Sequence, residues 1–221
     1  SSNSVLHLTA IAREAGIALD LGVFDELSRT TPQVISLRPG GDNFMEDMEA
    51  AGGIPAVLNV LAPKLKSSPT VNGVDILEVA ARHRPIQIEY LMETDPATKQ
   101  TISHKRTVIR PLADPVRAEG GIAILKGNLA PNGGVIKASG VDLSLHRFSG
   151  RALCYNSEKE VMTAIRSLPK LLGKSGNLVL VTRYVGPRGG PGMPEMISPT
   201  AALAGYPNEI KNRVALVTDG R

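Results

Sequence analysis

Cysteine and aromatic residues are scarce in this sequence. Its 221 residues include one cysteine, Cys154, no tryptophan, three phenylalanines and four tyrosines. A single cysteine excludes an internal disulfide framework and suits a reducing compartment. Walker A, GxSxG and dinucleotide-binding fingerprints in the right context are also missing, which argues against the common nucleotide and acyl-transfer enzymes.

Long apolar runs are missing too. No run approaches the eighteen or so residues that a bilayer crossing needs. The start, SSNSVLHLTAIAREAG, has no basic segment followed by a small-residue cleavage site, so it does not resemble a signal peptide. It also lacks an initiator methionine and begins almost directly in a helical pattern. We therefore expect a chain cut from a longer, soluble protein.

The formal charge of +4 raises the question of nucleic-acid binding. The basic residues are, however, spread out among acidic ones, and residues 104–106 form the only tight cluster. Without a basic stripe or aromatic residues for base stacking, the sequence argues against a nucleic-acid partner.

The first 85 residues have helical patterning. Val5, Leu8 and Ile11 recur at helical spacing, and Gly16 is placed to end that helix. Asp20 is a candidate N-cap for a second helix. Further helices are expected over 43–51, from Pro55 onward and over 74–81. The polar segment 84–110, with two prolines, is interpreted as a connection between domains and not as a core element.

From residue 108 onward the pattern is typical of strands. Short β runs are expected around Ile122 and Ile124 and over 135–138, 151–155, 177–183 and 213–218. A helix over 157–167 interrupts them, with Ser157 as its cap and Glu160 completing a capping box. Many short strands with one or two helices predict a compact β-rich barrel or sandwich.

The most unusual segment is 185–199, VGPRGGPGMPEMISP, with four glycines and four prolines in fifteen residues. Glycine permits close backbone approach to a ligand, and proline stiffens the loop. A stiff loop that presents one carboxylate, Glu195, could hold a hard cation such as Mg²⁺. The alternative is a surface crossover with a solvated glutamate, and composition alone favours that alternative.

Other polar residues give weaker signals. Cys154 lies between Leu153 and Tyr155 in a predicted strand, where a buried structural thiol is expected. The four histidines are too scattered for a local metal motif, and His7, with apolar neighbours, is interpreted as a packed core residue. Glu46 and Asp47 could bind a metal, but such residues are more often the wet face of an amphipathic helix.

Several segments resemble the dihydroxy-acid dehydratase family and its sugar-acid and phosphogluconate dehydratase relatives. They are SSNSVLHLTAIAREAG, GGDNFMEDMEAAGGIPAVL, VIRPLADPVRAEGGIAILKGNLAPNGGVIK, GPRGGPGMPEMISPTAALAG and VALVTDGR. They follow the family's order over nearly the whole chain. The resemblance implies a middle to C-terminal fragment of a longer protein.

The resemblance implies an α/β fold in two parts. Residues 1–90 would be the end of a large α/β domain with a parallel sheet, which binds the family's cluster. Residues 91–106 would be a linker. Residues 107–221 would be a truncated β-barrel-like domain, similar to the swivelling β/β/α domain of aconitase-type dehydratases.

The resemblance also implies a reaction, the removal of water from a 2,3-dihydroxy acid to give a 2-keto acid. In the family an iron–sulfur cluster (2Fe–2S or 4Fe–4S) acts as Lewis acid on the 3-hydroxyl, and Mg²⁺ holds the carboxylate and the 2-hydroxyl. An ionised serine removes the proton at C2. Polarising the substrate both at the leaving 3-hydroxyl and at C2 would supply most of the reduction in the activation barrier.

Few of the family's functional residues map onto this chain. Glu195 matches its Mg²⁺-binding glutamate, and Asn3 is a weaker candidate for substrate binding. The catalytic serine is expected two residues beyond Arg221, and the cluster cysteines and remaining Mg²⁺ ligands in the family's N-terminal region. Cys154 is not expected to be a cluster ligand.

The leading hypothesis is a fragment of an iron–sulfur and Mg²⁺-dependent hydro-lyase of valine, isoleucine and leucine biosynthesis, with the fragment alone inactive. The alternatives are a sugar-acid dehydratase of the same family and a non-catalytic structural or binding module. We expect a small-molecule substrate, a homodimer, no nucleic-acid or membrane partner, and a cytoplasmic location, or an organelle stroma or matrix in a eukaryote.

Overall fold

The structure is a computed structural model that describes residues 2–38, 41–94, 101–186 and 195–220. It is mixed α/β with small sheets of two, two and three strands among the described residues, which confirms the predicted α/β class. Contacts divide the chain into two compact units, Ser1–Val141 and Asp142–Arg221. The finer assignment to a large parallel-sheet domain and a barrel-like domain stays a prediction, and so do its boundaries.

The first unit begins with helices whose ends follow local signals. Asp20 caps the second helix by accepting a hydrogen bond from the Gly22 amide at 2.6 Å, as predicted. Asp75 caps the fifth in the same way, from Leu77 at 2.8 Å. The helices are α1 (Asn3–Glu14), α2 (Leu21–Thr30), α3 (Met45–Ala50), α4 (Gly53–Leu61) and α5 (Ile76–Arg82).

An antiparallel hairpin occupies the segment that was expected to lack core elements. Strand β1 (Ile88–Thr94) pairs with β2 (Thr101–Arg106), with an irregularity between Leu91 and Thr94. Ile88 packs against a buried cluster that includes Val108 and Ile109. The prediction of a plain connection was wrong here because Pro85 and Pro96 lie outside the ranges of both strands and so interrupt neither. Its role as a domain linker stays a prediction.

A second hairpin joins distant parts of the first unit. Strand β3 (Ala123–Leu125) pairs antiparallel with β4 (Gly134–Ile136), and α2 supplies acceptors for the backbone of β3. Asp25 accepts from the Ile124 amide at 3.0 Å, and the Ser28 hydroxyl accepts from the Ile122 amide at 3.3 Å. Helix side chains thus accept from one amide of β3 and from the amide of the residue just before it.

The second unit contains a parallel three-stranded sheet in the order β5 (Arg151–Tyr155), β6 (Leu178–Thr182), β7 (Val214–Thr218). The register aligns Tyr155 with Thr182 and Thr182 with Thr218, so the three strands end together. Each crossover contains helices, since parallel neighbours need long connections. They are α6 (Glu158–Arg166), α7 (Leu168–Leu172), α8 (Ile197–Ala204) and α9 (Asn208–Lys211).

Helix α6 begins as the sequence predicts. The Ser157 hydroxyl accepts from the Glu160 amide at 3.2 Å. The Glu160 carboxylate reaches back to the amide of Asn156 at 2.8 Å, one residue before the expected partner. The capping box is therefore present in a slightly extended form.

The two faces of this sheet differ. Leu178 and Leu180 are buried in a cluster with Val161 and Ile165 of α6. The opposite face carries the row Cys154, Val181 and Val217, which the parallel register aligns. Cys154 is exposed, so the expectation of a buried thiol was wrong. Its strand position points away from the helices, and the described residues leave it uncovered.

Candidate functional site

The loop that carries Glu195 starts at the carboxyl end of β6. In open parallel α/β sheets, ligand sites form outside the carboxyl ends of the strands. The Arg183 amide donates to the Tyr155 carbonyl at 2.8 Å, which extends the pairing of β5 and β6 by one step. The Arg183 guanidinium donates to Asn156 Oδ1 at 3.0 Å from Nε and 2.6 Å from Nη2. The base of the loop is thus tied to β5.

A tight turn follows at Tyr184, the one non-glycine residue with positive φ among the described residues (φ 62°). The amides of Tyr184 and Val185 both donate to the Asp219 carboxylate, at 3.0 Å to Oδ2 and 3.2 Å to Oδ1. Successive amides in such a turn form a concavity that suits an anion. Asp219 follows β7 directly, so its carboxylate joins the ends of two strands.

Two glycines allow this close approach. A Cβ on Gly186 would lie 2.5 Å from the Asp219 carbonyl oxygen, and one on Gly220 would lie 2.8 Å from Val185 Cγ2. Any side chain at either position would push the two segments apart. The turn after β6 and the turn after β7 therefore fit against each other backbone to backbone.

Glu195 is half-buried and lies immediately before Met196 and α8. Met196 is 4% exposed and Val185 is 8% exposed, and both belong to the same hydrophobic cluster. The described parts of the predicted loop are thus held by the core on both sides of residues 187–194, which lie outside the described residues.

Glu195 fits a Mg²⁺ site as one ligand. Mg²⁺ takes oxygen donors and keeps several waters, so one or two protein carboxylates suffice. Within the described part of the chain, no group of three or more acidic, histidine or cysteine residues forms a candidate metal site.

An iron–sulfur cluster does not fit this chain. Such clusters need several thiolates or comparable ligands, and the sequence has one cysteine. That residue, Cys154, lies on the sheet face away from the helices. Hence no step of the chemistry can be assigned to a cluster held by these residues.

Two polar residues near the strand ends were not singled out by the sequence analysis. The partners of Asp219 lie 34 and 35 residues away along the chain, so no local pattern indicates them. Thr182 is 1% exposed, and its buried hydroxyl has no hydrogen-bond partner among the described residues. The signal for Asp219 was available, since Asp-Gly after a strand next to a glycine-rich loop suits a backbone-binding carboxylate.

The remaining candidates lie in the first unit. Asn3 is the first residue of α1 and is half-buried. His7 is exposed, so the expectation of a packed core histidine was wrong. Glu46 is exposed, and Asp47 accepts from the Phe44 amide at 2.8 Å, which caps α3. No helix among the described residues has the length and apolar character to cross a membrane.

Two family models match the chain in order. The model described as Dihydroxy-acid/6-phosphogluconate dehydratase N-terminal matches residues 1–79, and the C-terminal model of the same name matches 107–221. Both descriptions agree with the resemblance inferred from the sequence segments.

Individual relatives agree with these matches. A protein named dihydroxy-acid dehydratase from Syntrophotalea carbinolica is 47% identical over all of this chain and 35% of its own length. Those from Geobacter metallireducens and Geotalea daltonii are 48% and 46% identical over all of this chain and 36% of theirs. The chain therefore spans about a third of these relatives' length. It belongs to the dihydroxy-acid/6-phosphogluconate dehydratase family.

Proposed function

We propose that the protein to which this chain belongs is a dihydroxy-acid dehydratase. It would be a hydro-lyase that converts 2,3-dihydroxy acids such as 2,3-dihydroxyisovalerate to 2-keto acids in branched-chain amino-acid biosynthesis. One observation carries the proposal: relatives of that name match the entire chain at 44–48% identity. The substrate is small, and we propose a cytoplasmic homodimer.

A dehydratase of sugar acids is the alternative within the family, because both family models also carry the name of 6-phosphogluconate. The full-length protein distinguishes the two in a keto-acid assay. We expect turnover of 2,3-dihydroxyisovalerate at least about a hundred times faster, in kcat/KM, than of 6-phosphogluconate or an unphosphorylated sugar acid, a difference of about 2.7 kcal/mol in transition-state binding. The reverse preference would contradict the proposal.

In this proposal Glu195 supplies one carboxylate ligand to Mg²⁺. The bound ion would neutralise charge on the substrate carboxylate and orient the 2-hydroxyl. Burial of Met196 restrains the backbone next to Glu195, so less backbone freedom is lost when the carboxylate binds the ion. The tied base of the loop, at Arg183 and Tyr184, keeps the other side in place.

Substitution of Glu195 tests this role. Glu195→Gln keeps the size of the side chain and removes the charge that attracts the cation. We expect Mg²⁺-dependent activity of the full-length enzyme to fall by more than about 100-fold, since even residues that only support metal ligands cost 10–100-fold. Glu209→Gln, at an exposed position of α9, is the matched control and should leave activity unchanged. Equal activity in both variants would refute the assignment of Glu195.

The iron–sulfur cluster, the catalytic serine and the remaining Mg²⁺ ligands are proposed to belong to the rest of the protein. The two-part architecture, a large α/β domain before residue 90 and a barrel-like domain after residue 107, is part of the same proposal. It is supported by the two separate family-model matches. On this basis the 221 residues alone would be an inactive module without bound iron, and metal analysis of the purified chain tests that directly.

A further inference from the structure

The start of the Gly/Pro loop is held by one carboxylate across two strands. Strands β6 and β7 are parallel neighbours, and Thr182 is aligned with Thr218 at their carboxyl ends. The segments that follow, 183–186 and 219–220, therefore run side by side. Asp219 binds both the Tyr184 and the Val185 amide, one with each carboxylate oxygen.

This arrangement holds Tyr184 in an unfavourable conformation. A left-handed backbone is unfavourable for a non-glycine residue, and it persists only where surrounding contacts determine it. Hydrogen bonds to a charged acceptor are about twice as strong as neutral ones. The Asp219 carboxylate is the contact that compensates for the strain at this turn.

The turn also sets the direction in which the chain enters the loop. Val185 is buried in the same hydrophobic cluster as Met196, the residue after Glu195. Gly186 lies so close to the Asp219 carbonyl that no side chain would fit. Release of the two amides would free Val185 to leave that cluster, and the packing shared with Met196 would loosen beside the metal ligand.

Resting on the proposed function, we infer that Asp219 is a positioning residue for Mg²⁺ binding. It holds the turn at Tyr184 and Val185, and the hydrophobic cluster that Val185 shares with Met196 then keeps Glu195 in its metal-binding position. Asp219 itself touches backbone amides and does not have to contact the ion.

The test uses the full-length protein carrying Asp219→Ala, Asp219→Asn or Glu195→Gln. Binding of Mn²⁺, a spectroscopic substitute for Mg²⁺, is followed by electron paramagnetic resonance, so the readout does not depend on turnover. Asp219→Ala should weaken Mn²⁺ binding by about 10-fold, at the low end of what supporting residues contribute at metal sites. Asp219→Asn keeps one oxygen acceptor and should give a smaller loss, which is a partial rescue.

Amide hydrogen exchange supplies a second measurement. In Asp219→Ala, a peptide covering residues 183–186 should exchange faster than in the wild type, while peptides from β5 and α6 should not change. Unchanged Mn²⁺ affinity in Asp219→Ala, with Glu195→Gln impaired, would overturn the role of Asp219 and leave the proposed function intact. Unchanged affinity in Glu195→Gln would instead remove the metal site itself, and with it this inference.

Discussion

At the scale of single residues, carboxylates that accept hydrogen bonds from backbone amides recur, and three of them illustrate what the sequence can and cannot indicate. Asp20 caps a helix, Asp25 binds the amide of Ile124, and Asp219 binds two successive amides. The first bond is local, and the sequence predicted it. The other two join residues far apart in the chain, and no local pattern could indicate their partners. The candidate site was thus predicted at Glu195, through resemblance to a family. At Asp219 the Asp-Gly pair after a strand was a usable signal, but its partners 34 and 35 residues away were not predictable.

Asp25 gives a prediction for the pH dependence of stability. Its hydrogen bond from the Ile124 amide, followed by the charge of Arg29, lowers the pKa of this carboxyl below the ordinary value of about 3.9. A lowered pKa means that the unfolded state binds the proton more tightly. The stabilisation is therefore complete above the unfolded pKa and is lost as the pH falls through the folded pKa.

The measurement is urea denaturation of wild type and Asp25→Asn between pH 7 and pH 3. We expect the variant to unfold at a lower urea concentration than the wild type at neutral pH. The difference between the two urea midpoints should close in acid, as Asp25 of the wild type becomes protonated. Asp42→Asn, at an exposed position, is the control. A difference in urea midpoint that stayed constant over this pH range would contradict the electrostatic origin of the stabilisation by Asp25.

At the scale of elements, local sequence signals explain why several strands and one helix were predicted at the right place. Strands β5, β6 and β7 and helix α6 lie within one residue of their predicted bounds, because apolar runs, caps and glycines mark them directly. The hairpin of β1 and β2 was missed because prolines were taken to exclude it. Sheet order and the pairing of α2 with β3 depend on contacts between distant residues, so they cannot be predicted from hydrophobic periodicity.

The cap of α6 supports an element-scale prediction. Ser157→Ala removes the acceptor for the Glu160 amide and should destabilise the protein by about 1 kcal/mol. Ser157→Asn keeps an acceptor at the same position and should lie close to wild type. Denaturant unfolding of the three proteins measures the difference. Equal loss in both variants would show that the hydroxyl contributes through something other than capping.

At the scale of the whole molecule, compact units and family-model matches divide the chain differently. The first unit extends to Val141, whereas the C-terminal family model begins at residue 107. Hydrogen bonds from Ile122 and Ile124 to α2 account for part of this difference, since they bind residues of the C-terminal match to helices of the N-terminal match. A single boundary near residue 100 would cut through these contacts.

The open face of the parallel sheet leads to a prediction for the chain as a whole. Cys154 is the only cysteine and is exposed on that face, so thiol titration gives an unambiguous count. We expect the folded 221-residue chain to react with one equivalent of a disulfide reagent at a rate close to that after denaturation. Protection of this thiol in the full-length protein would show that other parts of it cover the face. No reaction in the native isolated chain would contradict the exposure.

The hydrogen bond between Asp25 and Ile124 has a consequence for folding while the chain is being translated. The two residues are 99 positions apart. At a translation rate of about 5–20 residues per second, roughly 5–20 s pass between the synthesis of α2 and that of its strand partner. Until β3 has been synthesised, the acceptors Asp25 and Ser28 of α2 cannot form these hydrogen bonds. Completion of the first unit therefore waits for the synthesis of β3.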